Sequence, residues 1–271
     1  MPKAKTQQYS SILRNPVFTP ALKQQIEQEQ TYQTLTESFV AKVLKGVHKN
    51  AILQGPPGLG KSHVVQTALV NARKTEGKDF VIVKGHITPL QLFGTLYMFR
   101  RPGQVVVLDD CDDIMSNEIG ISIIKAASDP DNRRVTYSTT RSPIIAGTVV
   151  KDFVFNGTLI ICSNVAMDTG NVGRRNQHMR AILSRTTNWP MGWDTKEQKF
   201  AQVYNMVVNH DYLGVSDRTR ITEPQKEELL TYLLDNLDEI NHLDLRLPQK
   251  VAAEMVAGGD WRRACAPFLK V

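Results

Sequence analysis

The hydrophobic positions of this chain change rhythm twice. From Ala21 to about Lys45, Leu22, Ile26, Leu35, Phe39, Val43 and Leu44 recur among Gln, Glu and Lys at partly helical spacing, which predicts one or two helices. Short β-rich apolar runs follow: Ala51-Ile52-Leu53, Phe80-Val81-Ile82-Val83, Val105-Val106-Val107-Leu108 and Leu159-Ile160-Ile161-Cys162. Helical stretches at 62–74, 89–99 and 117–128 separate them. Strands with no polar side must be covered on both faces, so their alternation with helices predicts a parallel sheet between helical layers. Between Asp129 and Phe155 the pattern differs: Arg133 to Thr139 and Ile144 to Lys151 read as a hairpin around Ser142-Pro143, just before the last core strand. After Trp193 the chain turns helical, with candidates at 195–209, 223–239, 245–257 and 260–269 and boundaries at Thr222-Glu223-Pro224 and Gly258-Gly259-Asp260.

The expected fold is therefore α/β, a three-layer parallel sheet over residues 21–193 followed by a small helical domain over 194–271. Residues 1–20 are polar and interrupted by Pro2, Pro16 and Pro20, which predicts a flexible arm.

Composition narrows the classes. With 271 residues, 41% hydrophobic and 22% charged, the chain can bury a substantial core and lies outside the disordered, collagenous and rod-like ranges. Its longest apolar runs are strand-length, far short of the ~20 residues that cross a bilayer, so no membrane span is expected. Basic residues near the start are followed by no apolar run, which argues against a secretory signal and for a cytoplasmic location. Cys111, Cys162 and Cys265 are odd in number and widely spaced, against both a disulfide framework and a zinc site. The net charge of +6 is unevenly spread: residues 133–180 hold seven basic and two acidic side chains, and residues 211–245 hold nine acidic and three basic. Such a pair of segments suits a nucleic-acid footprint, a head-to-tail subunit interface, or two solvated faces.

The sharpest chemical signal is Gly55-Pro56-Pro57-Gly58-Leu59-Gly60-Lys61-Ser62, a GxxxxGK[ST] segment between a strand and a helix. In that context it is a P-loop: glycines let successive N–H groups face a phosphate chain, and the helix N-terminus adds partial positive charge. Lys61 is expected on the β- and γ-phosphates and Ser62 on Mg²⁺. His63, next in the chain, is grouped with this nucleotide-binding segment, although a place on the helix surface accounts for it as simply. The strand Val105 to Leu108 ends in Asp109-Asp110. Asp109 is expected to hold the metal's water shell, and Asp110 to orient or deprotonate the attacking water. Asp112 and Asp113 read as caps of the next helix, and Cys111 as a small packing residue. A third strand ends in Ser163-Asn164, where Asn164 is placed to hold the water from the side opposite Asp110.

With these residues in this order the chain resembles the AAA+ ATPases. Walker A is Gly55 to Ser62, Walker B Val105 to Asp110, and sensor 1 Asn164. Met179-Arg180-Ala181-Ile182-Leu183-Ser184-Arg185 looks like the helix that ends in the family's arginine finger, Arg185. The resemblance covers roughly residues 35–260. The Asp-Asp-Cys-Asp after the strand, the Phe153-x-Phe155-x-Gly157 before Asn164 and the short length look like the AAA+ ATPases of tailed bacteriophages. The resemblance implies ATP and Mg²⁺ as cofactors, ATP hydrolysis, and a homo-oligomeric ring or spiral, with a hexamer as the expected size. It also implies an arginine from the helical lid on the γ-phosphate; Arg246 is the preferred candidate and Arg262 the other. One position departs from the family, Asp110 standing where Glu is usual, and slow hydrolysis is one consequence. The predicted hairpin resembles an insertion in the branch that includes MoxR-type chaperones and replicative helicases. It carries Arg133, Arg134, Arg141 and Lys151, with Arg174 and Arg175 farther on. DNA, contacted by Arg133, Arg134, Arg174 and Arg175, is the first expected partner, in replication, recombination or helicase loading. The alternatives are a MoxR-like protein remodeller acting on a polypeptide, and a nucleotide-controlled interaction module with weak turnover.

Overall fold

Four of the five strands of the central sheet are the apolar runs read from the sequence. The computed structural model describes residue 12 and residues 14–138, 143–164, 174–214 and 216–270, with 174–178 as backbone only. The chain divides into two units, residues 36–191 and residues up to 35 together with 192–271. A single helix, α1 (Pro20–Leu44), begins in the second unit and ends in the first.

In the first unit the order is β1 (Asn50–Gln54), α2 (Lys61–Asn71), β2 (Phe80–Lys84), α3 (Pro89–Met98), β3 (Val105–Asp109) and α4 (Glu118–Ala127). Then come β4 (Arg134–Thr136), β5 (Ile144–Ile145), β6 (Thr148–Val149), β7 (Asp152–Val154), β8 (Thr158–Ser163), α5 (Arg174–Leu183) and β9 (Thr187–Pro190). The sheet runs β2-β3-β8-β1-β9, every pair parallel. Successive strand residues face opposite sides. Ile52, Val106, Leu108, Leu159 and Ile161 join Leu92, Phe93 and Leu96 of α3 and Ile121 and Ile124 of α4 in one cluster. The residues between them, Leu53, Val107, Ile160 and Cys162, are equally buried, as are Val64, Val65 and Leu69 of α2. This is the expected parallel α/β architecture. Helix α3 starts at a reciprocal cap: the Gln91 N–H donates to Thr88 Oγ1 (3.3 Å) and the Thr88 N–H to Gln91 Oε1 (3.1 Å), with Pro89 at the first turn.

Two expectations about this unit change. The strand β9 was not anticipated: Thr187-Asn188-Trp189-Pro190 has no apolar run, because it is an edge strand held through Trp189, which stacks on Phe39 at 4.8 Å and donates Nε1–H to Thr36 Oγ1 (2.9 Å). The excursion before β8 also pairs differently. Arg134–Thr136 lies against Asp152–Val154, and Ile144–Ile145 pairs with Thr148–Val149 as a separate small hairpin. Its two-residue turn, Ala146-Gly147, has φ of 49° and 78°, the left-handed pair such a turn requires. The anchors are aromatic: Phe153 packs on Phe93 (5.1 Å) and Tyr97 (5.4 Å).

The second unit gathers α6 (Lys196–Asn209), α7 (Glu223–Asp235), α8 (Arg246–Ala257) and α9 (Trp261–Leu269) around one apolar core. Phe200, Tyr204, Leu229, Leu233, Val251 and Leu269 are central to it. Leu22 and Ile26 of α1 belong to the same core, so the start of α1 belongs with the helical unit rather than with the α/β core expected from residue 21. The flexible-arm expectation is likewise corrected over its described part. Ile12 is fully buried in this core, Phe18 packs against it, and Asn15 Nδ2 donates to Asp235 Oδ1 (2.5 Å). Burial of Ile12 and Phe18 is the gain that holds this proline-interrupted segment down. Residues 1–11 lie outside the described residues. Among the described residues no helix is long and apolar enough to cross a membrane.

Glu29 of α1 is a buried acid in this unit. Trp193 Nε1 donates to its Oε2 (2.5 Å), while Oε1 is buried with no hydrogen-bond partner among the described residues. Burial pushes its carboxyl up to about 7, against the opposing effect of the Trp193 bond. The folded state thus holds a proton that the unfolded chain releases at its ordinary value of 4.5. Stability from this group is full below that value and is lost as pH rises toward 7, by on the order of 3 kcal/mol. Glu29→Gln keeps an acceptor for Trp193 and cannot ionise. It should remove that slope and raise the urea midpoint at about pH 8. Parallel pH profiles for the two proteins would show that Glu29 does not titrate in this range.

Candidate active site

Parallel register sets the site. In the order β3-β8-β1, Asp109 stands opposite Cys162 and Gln54 opposite Ser163, so all three strands end at one edge. The segment after β8 therefore emerges between the loop after β1 and the turn after β3. Asn164, the first residue beyond β8, is in the middle.

The loop after β1 is shaped by glycine at two places. A Cβ on Gly55 would lie 1.9 Å from the Met191 carbonyl oxygen, so the close approach of β1 to β9 excludes any other residue there. Gly60, with φ of 84°, is the cap from which α2 begins. Pro56 and Pro57 stiffen the turn and the Leu59 side chain is buried beneath it. Lys61, only 5% exposed, donates to the carbonyl oxygens of Gly55 (2.7 Å) and Pro56 (2.7 Å) and to Asn164 Oδ1 (2.8 Å). Burial draws its pKa below the usual lysine value, and the carboxylates of Asp110, Asp109 and Asp112 act against that. The Ser62 hydroxyl donates to Asp109 Oδ1 at 2.5 Å.

Asp109 is buried, and its other oxygen lies 3.7 Å from Lys84 Nζ at the end of β2. Asp110 has φ of 55°, a left-handed conformation that Asp tolerates better than most residues. That reversal leaves Asp110 exposed, with its Oδ1 accepting from Asn164 Nδ2 at 2.7 Å. Asn164 thus spans the site, its oxygen on the lysine and its nitrogen on the acid. Lys61, Ser62, Asp109, Asp110 and Asn164, singled out separately in the sequence, form one connected group.

Other expected residues have surroundings of their own. His63 is half-buried on the first turn of α2. Arg185, just beyond α5, pairs through Nε with Asp129 Oδ2 at 3.6 Å, and its buried Nη1 has no hydrogen-bond partner among the described residues. Arg246 is exposed at the start of α8, while Arg262 pairs with Glu228 (2.6 Å) and lies over the Trp261 ring (4.6 Å). Both belong to the helical unit. Arg133 corrects an expectation: it is buried, donating from Nε to Ala127 O (2.7 Å) and from Nη2 to Asn50 Oδ1 (2.8 Å) over the Phe155 ring. Burial lowers its pKa to about 10. A guanidinium spent on joining α4, β1 and β4 does not face a DNA backbone. Arg134 is exposed and paired with Asp152. The side chains of Arg174 and Arg175, and Arg141, lie outside the described residues.

Asp113 stands at the N-cap of the short 3-10 turn Ile114–Ser116 with no side-chain hydrogen bond there, and neither it nor Asp112 caps α4. Asn117 does so, its Oδ1 accepting from Ile119 N–H (3.0 Å) and Gly120 N–H (2.9 Å). Asp113 pairs with His86 (3.5 Å), and Asp112 faces Ser163 and Asn164. Cys111 is the packing residue expected; its thiol donates to Val83 O at 3.4 Å and burial pushes it up to about 11. Lys84, Asp112 and Ser163 were not foreseen as members of the site. The position of Lys84 at the end of an apolar strand was the signal for the first.

The strand–loop–helix unit of this sequence thus stands at the carboxyl edge of a five-stranded parallel sheet in an α/β fold. Comparison with known proteins adds the following. An uncharacterized 36.7 kDa protein from the nrdC-mobD intergenic region of Enterobacteria phage T4 is 23% identical over 208 residues, covering 75% of this chain and 62% of its own length. The chain thus spans less than two thirds of that relative. The structure of C. elegans PCH-2 matches over 97% of this chain and 70% of its own, with 14% identity and a TM-score of 0.40. No protein-family model matches the chain.

Proposed function

We propose that this chain is an ATP-hydrolysing AAA+ motor. The observation that carries this reading is Asn164 bridging Lys61 and Asp110, beside the Ser62–Asp109 pair. A phosphate-binding cation, a metal-binding hydroxyl and carboxylate, and a polar group held against an accessible acid are the parts that γ-phosphate transfer to water needs. The donor set fits Mg²⁺: Ser62 Oγ and Asp109 Oδ1, 2.5 Å apart, are hard oxygen ligands at the mouth of the loop. When bound with ATP, Mg²⁺ would neutralise phosphate charge, and Ser62 and Asp109 are the residues that would hold it. Lys61 meets the β- and γ-phosphates. Asp110 accepts the proton of the attacking water as its oxygen bonds to the γ-phosphorus and ADP leaves. Asn164 fixes that water from the other side. Gly55 to His63 form the nucleotide-binding segment, and Arg246 or Arg262 is the further arginine that meets the γ-phosphate.

The motor works as a homo-oligomer in which Arg185 completes a neighbouring site. The phage relative agrees with a phage origin for this type of chain, and hence with action in a host cytoplasm. The excursion before β8 favours a polypeptide as what it acts on. Arg133 is buried and Arg134 is paired with a carboxylate, whereas the cross-strand pair Ile144 and Val149 is 71% and 60% exposed. DNA is the second reading, carried by Arg134, Arg174 and Arg175. Turnover measured alone and with unfolded polypeptide, single-stranded DNA and double-stranded DNA separates them. Stimulation by polypeptide alone is the expected result, and stimulation by DNA alone, falling steeply with salt, would overturn the choice.

A further inference from the structure

Asp112 lies beyond the Walker B strand, half-buried, and takes part in none of the steps above. Its two oxygens nevertheless face donors from two consecutive residues. Ser163 Oγ donates to Oδ1 at 2.7 Å, and the Asn164 backbone N–H is 3.4 Å from Oδ2. Ser163 is fully buried as the last residue of β8, and the Asn164 side chain starts one residue later. Asn164 has to satisfy two partners on opposite sides, the Lys61 ammonium and the Asp110 carboxylate. A side chain with two rotatable bonds does this only if its own backbone is held still. The left-handed turn at Asp110 brings Asp112 back toward the end of β8. A carboxylate is suited to the task because both of its oxygens accept and neither donates, and bonds to an ionised group are the stronger kind.

We propose that Asp112 is a positioning residue, a brace between the turn after β3 and the end of β8 that holds the Asn164 backbone so that its side chain spans Lys61 and Asp110. For its effect on turnover this rests on the ATPase reading; for its effect on the chain it does not. The brace couples the acid-bearing turn to the asparagine, so that any movement of one carries the other.

Asp112→Asn replaces one acceptor by a donor at nearly unchanged size. Hydrogen exchange at the Asn164 amide in the full chain without nucleotide should become about tenfold to a hundredfold faster, the range expected for losing a bond to a charged group. The turnover number should fall by a similar factor, while the equilibrium affinity for ATP stays within about threefold. In an Asn164→Ala background the same substitution should cost no further turnover, since its effect passes through Asn164. Ser163→Ala, which removes only one of the two bonds, should move exchange in the same direction and serves if Asp112→Asn folds poorly. Unchanged exchange at Asn164, or an equal loss of turnover in the Asn164→Ala background, would overturn the brace. A wild-type chain that binds ATP without hydrolysing it would overturn the ATPase reading, with exchange at Asn164 still deciding the brace.

Discussion

Lys61→Ala is expected to lose at least about a hundredfold in nucleotide affinity and all measurable turnover, because the phosphates lose a buried, charge-assisted donor. The loss reaches further than one contact. Lys61 ties together the carbonyls of Gly55 and Pro56 and the side chain of Asn164, so its removal also leaves three acceptors without their shared donor. Asp110→Asn should behave differently. Asp110 is exposed and touches Asn164, not the Gly55–Ser62 loop, so affinity should be kept while turnover falls by about 10²–10⁴. Equilibrium titration with a nucleotide and a steady-state assay separate the two roles, and an equal loss of affinity in both variants would remove the distinction. Asp110→Glu probes the position at which the resembled AAA+ ATPases usually carry Glu. At φ of 55° the shorter acid already reaches Asn164 at 2.7 Å, and Glu fits that backbone less well. A further drop in rate would mean that the site is built around Asp, whereas a rise would mean that the short carboxylate limits hydrolysis.

The parts of this molecule that depend on local pattern were legible. Buried apolar runs identify β1, β2, β3 and β8 because parallel strands covered on both faces have no polar side, and the helices between them start and stop near their expected positions. The Gly55–Ser62 segment and Asp109-Asp110 stand out locally as candidates, and the fold brings Ser62 to Asp109. What depends on register was not. Nothing local says that β8 inserts between β3 and β1, and that insertion is what places Asn164 between Lys61 and Asp110 and brings Asp112 to Ser163. The same limit explains the hairpin. Val135 and Phe153 pair across the base, and Phe153 is anchored on Phe93 and Tyr97 of α3, a tertiary contact that no local pattern announces; Ser142, where the sequence suggested the turn, lies outside the described residues. Arg133 shows the limit for charge: its count contributes to a basic segment, but its burial against Phe155 and Asn50 takes it off the surface. Exposure, not composition, decides whether a cation meets a partner.

Arg185→Ala is expected to bind ATP normally and to lose about 10³–10⁵ in rate, the scale of an arginine that neutralises charge on the transferring phosphoryl group. Within its own chain Arg185 is tied to Asp129, whose carboxyl is held below its usual range by the backbone N–H groups of Asn132 and Asp131 and, to a smaller degree, by Arg185 itself. A finger acting across an interface has to leave this partner. Asp129→Asn should therefore leave turnover unchanged or raise it, and a loss as large as that of Arg185→Ala would mean that the pair is needed where it stands. The single variant cannot tell a finger in the neighbour's site from one in its own. Mixing can: Arg185→Ala subunits keep an intact Lys61, and Lys61→Ala subunits keep an intact Arg185. Random assembly from equal amounts, in a head-to-tail ring, makes about one interface in four from an intact site and an intact finger. Two inactive proteins should then regain activity on mixing. If mixed oligomers form and stay inactive, action across the interface between independent sites is ruled out; if Arg185→Ala is active alone, Arg185 is not the finger.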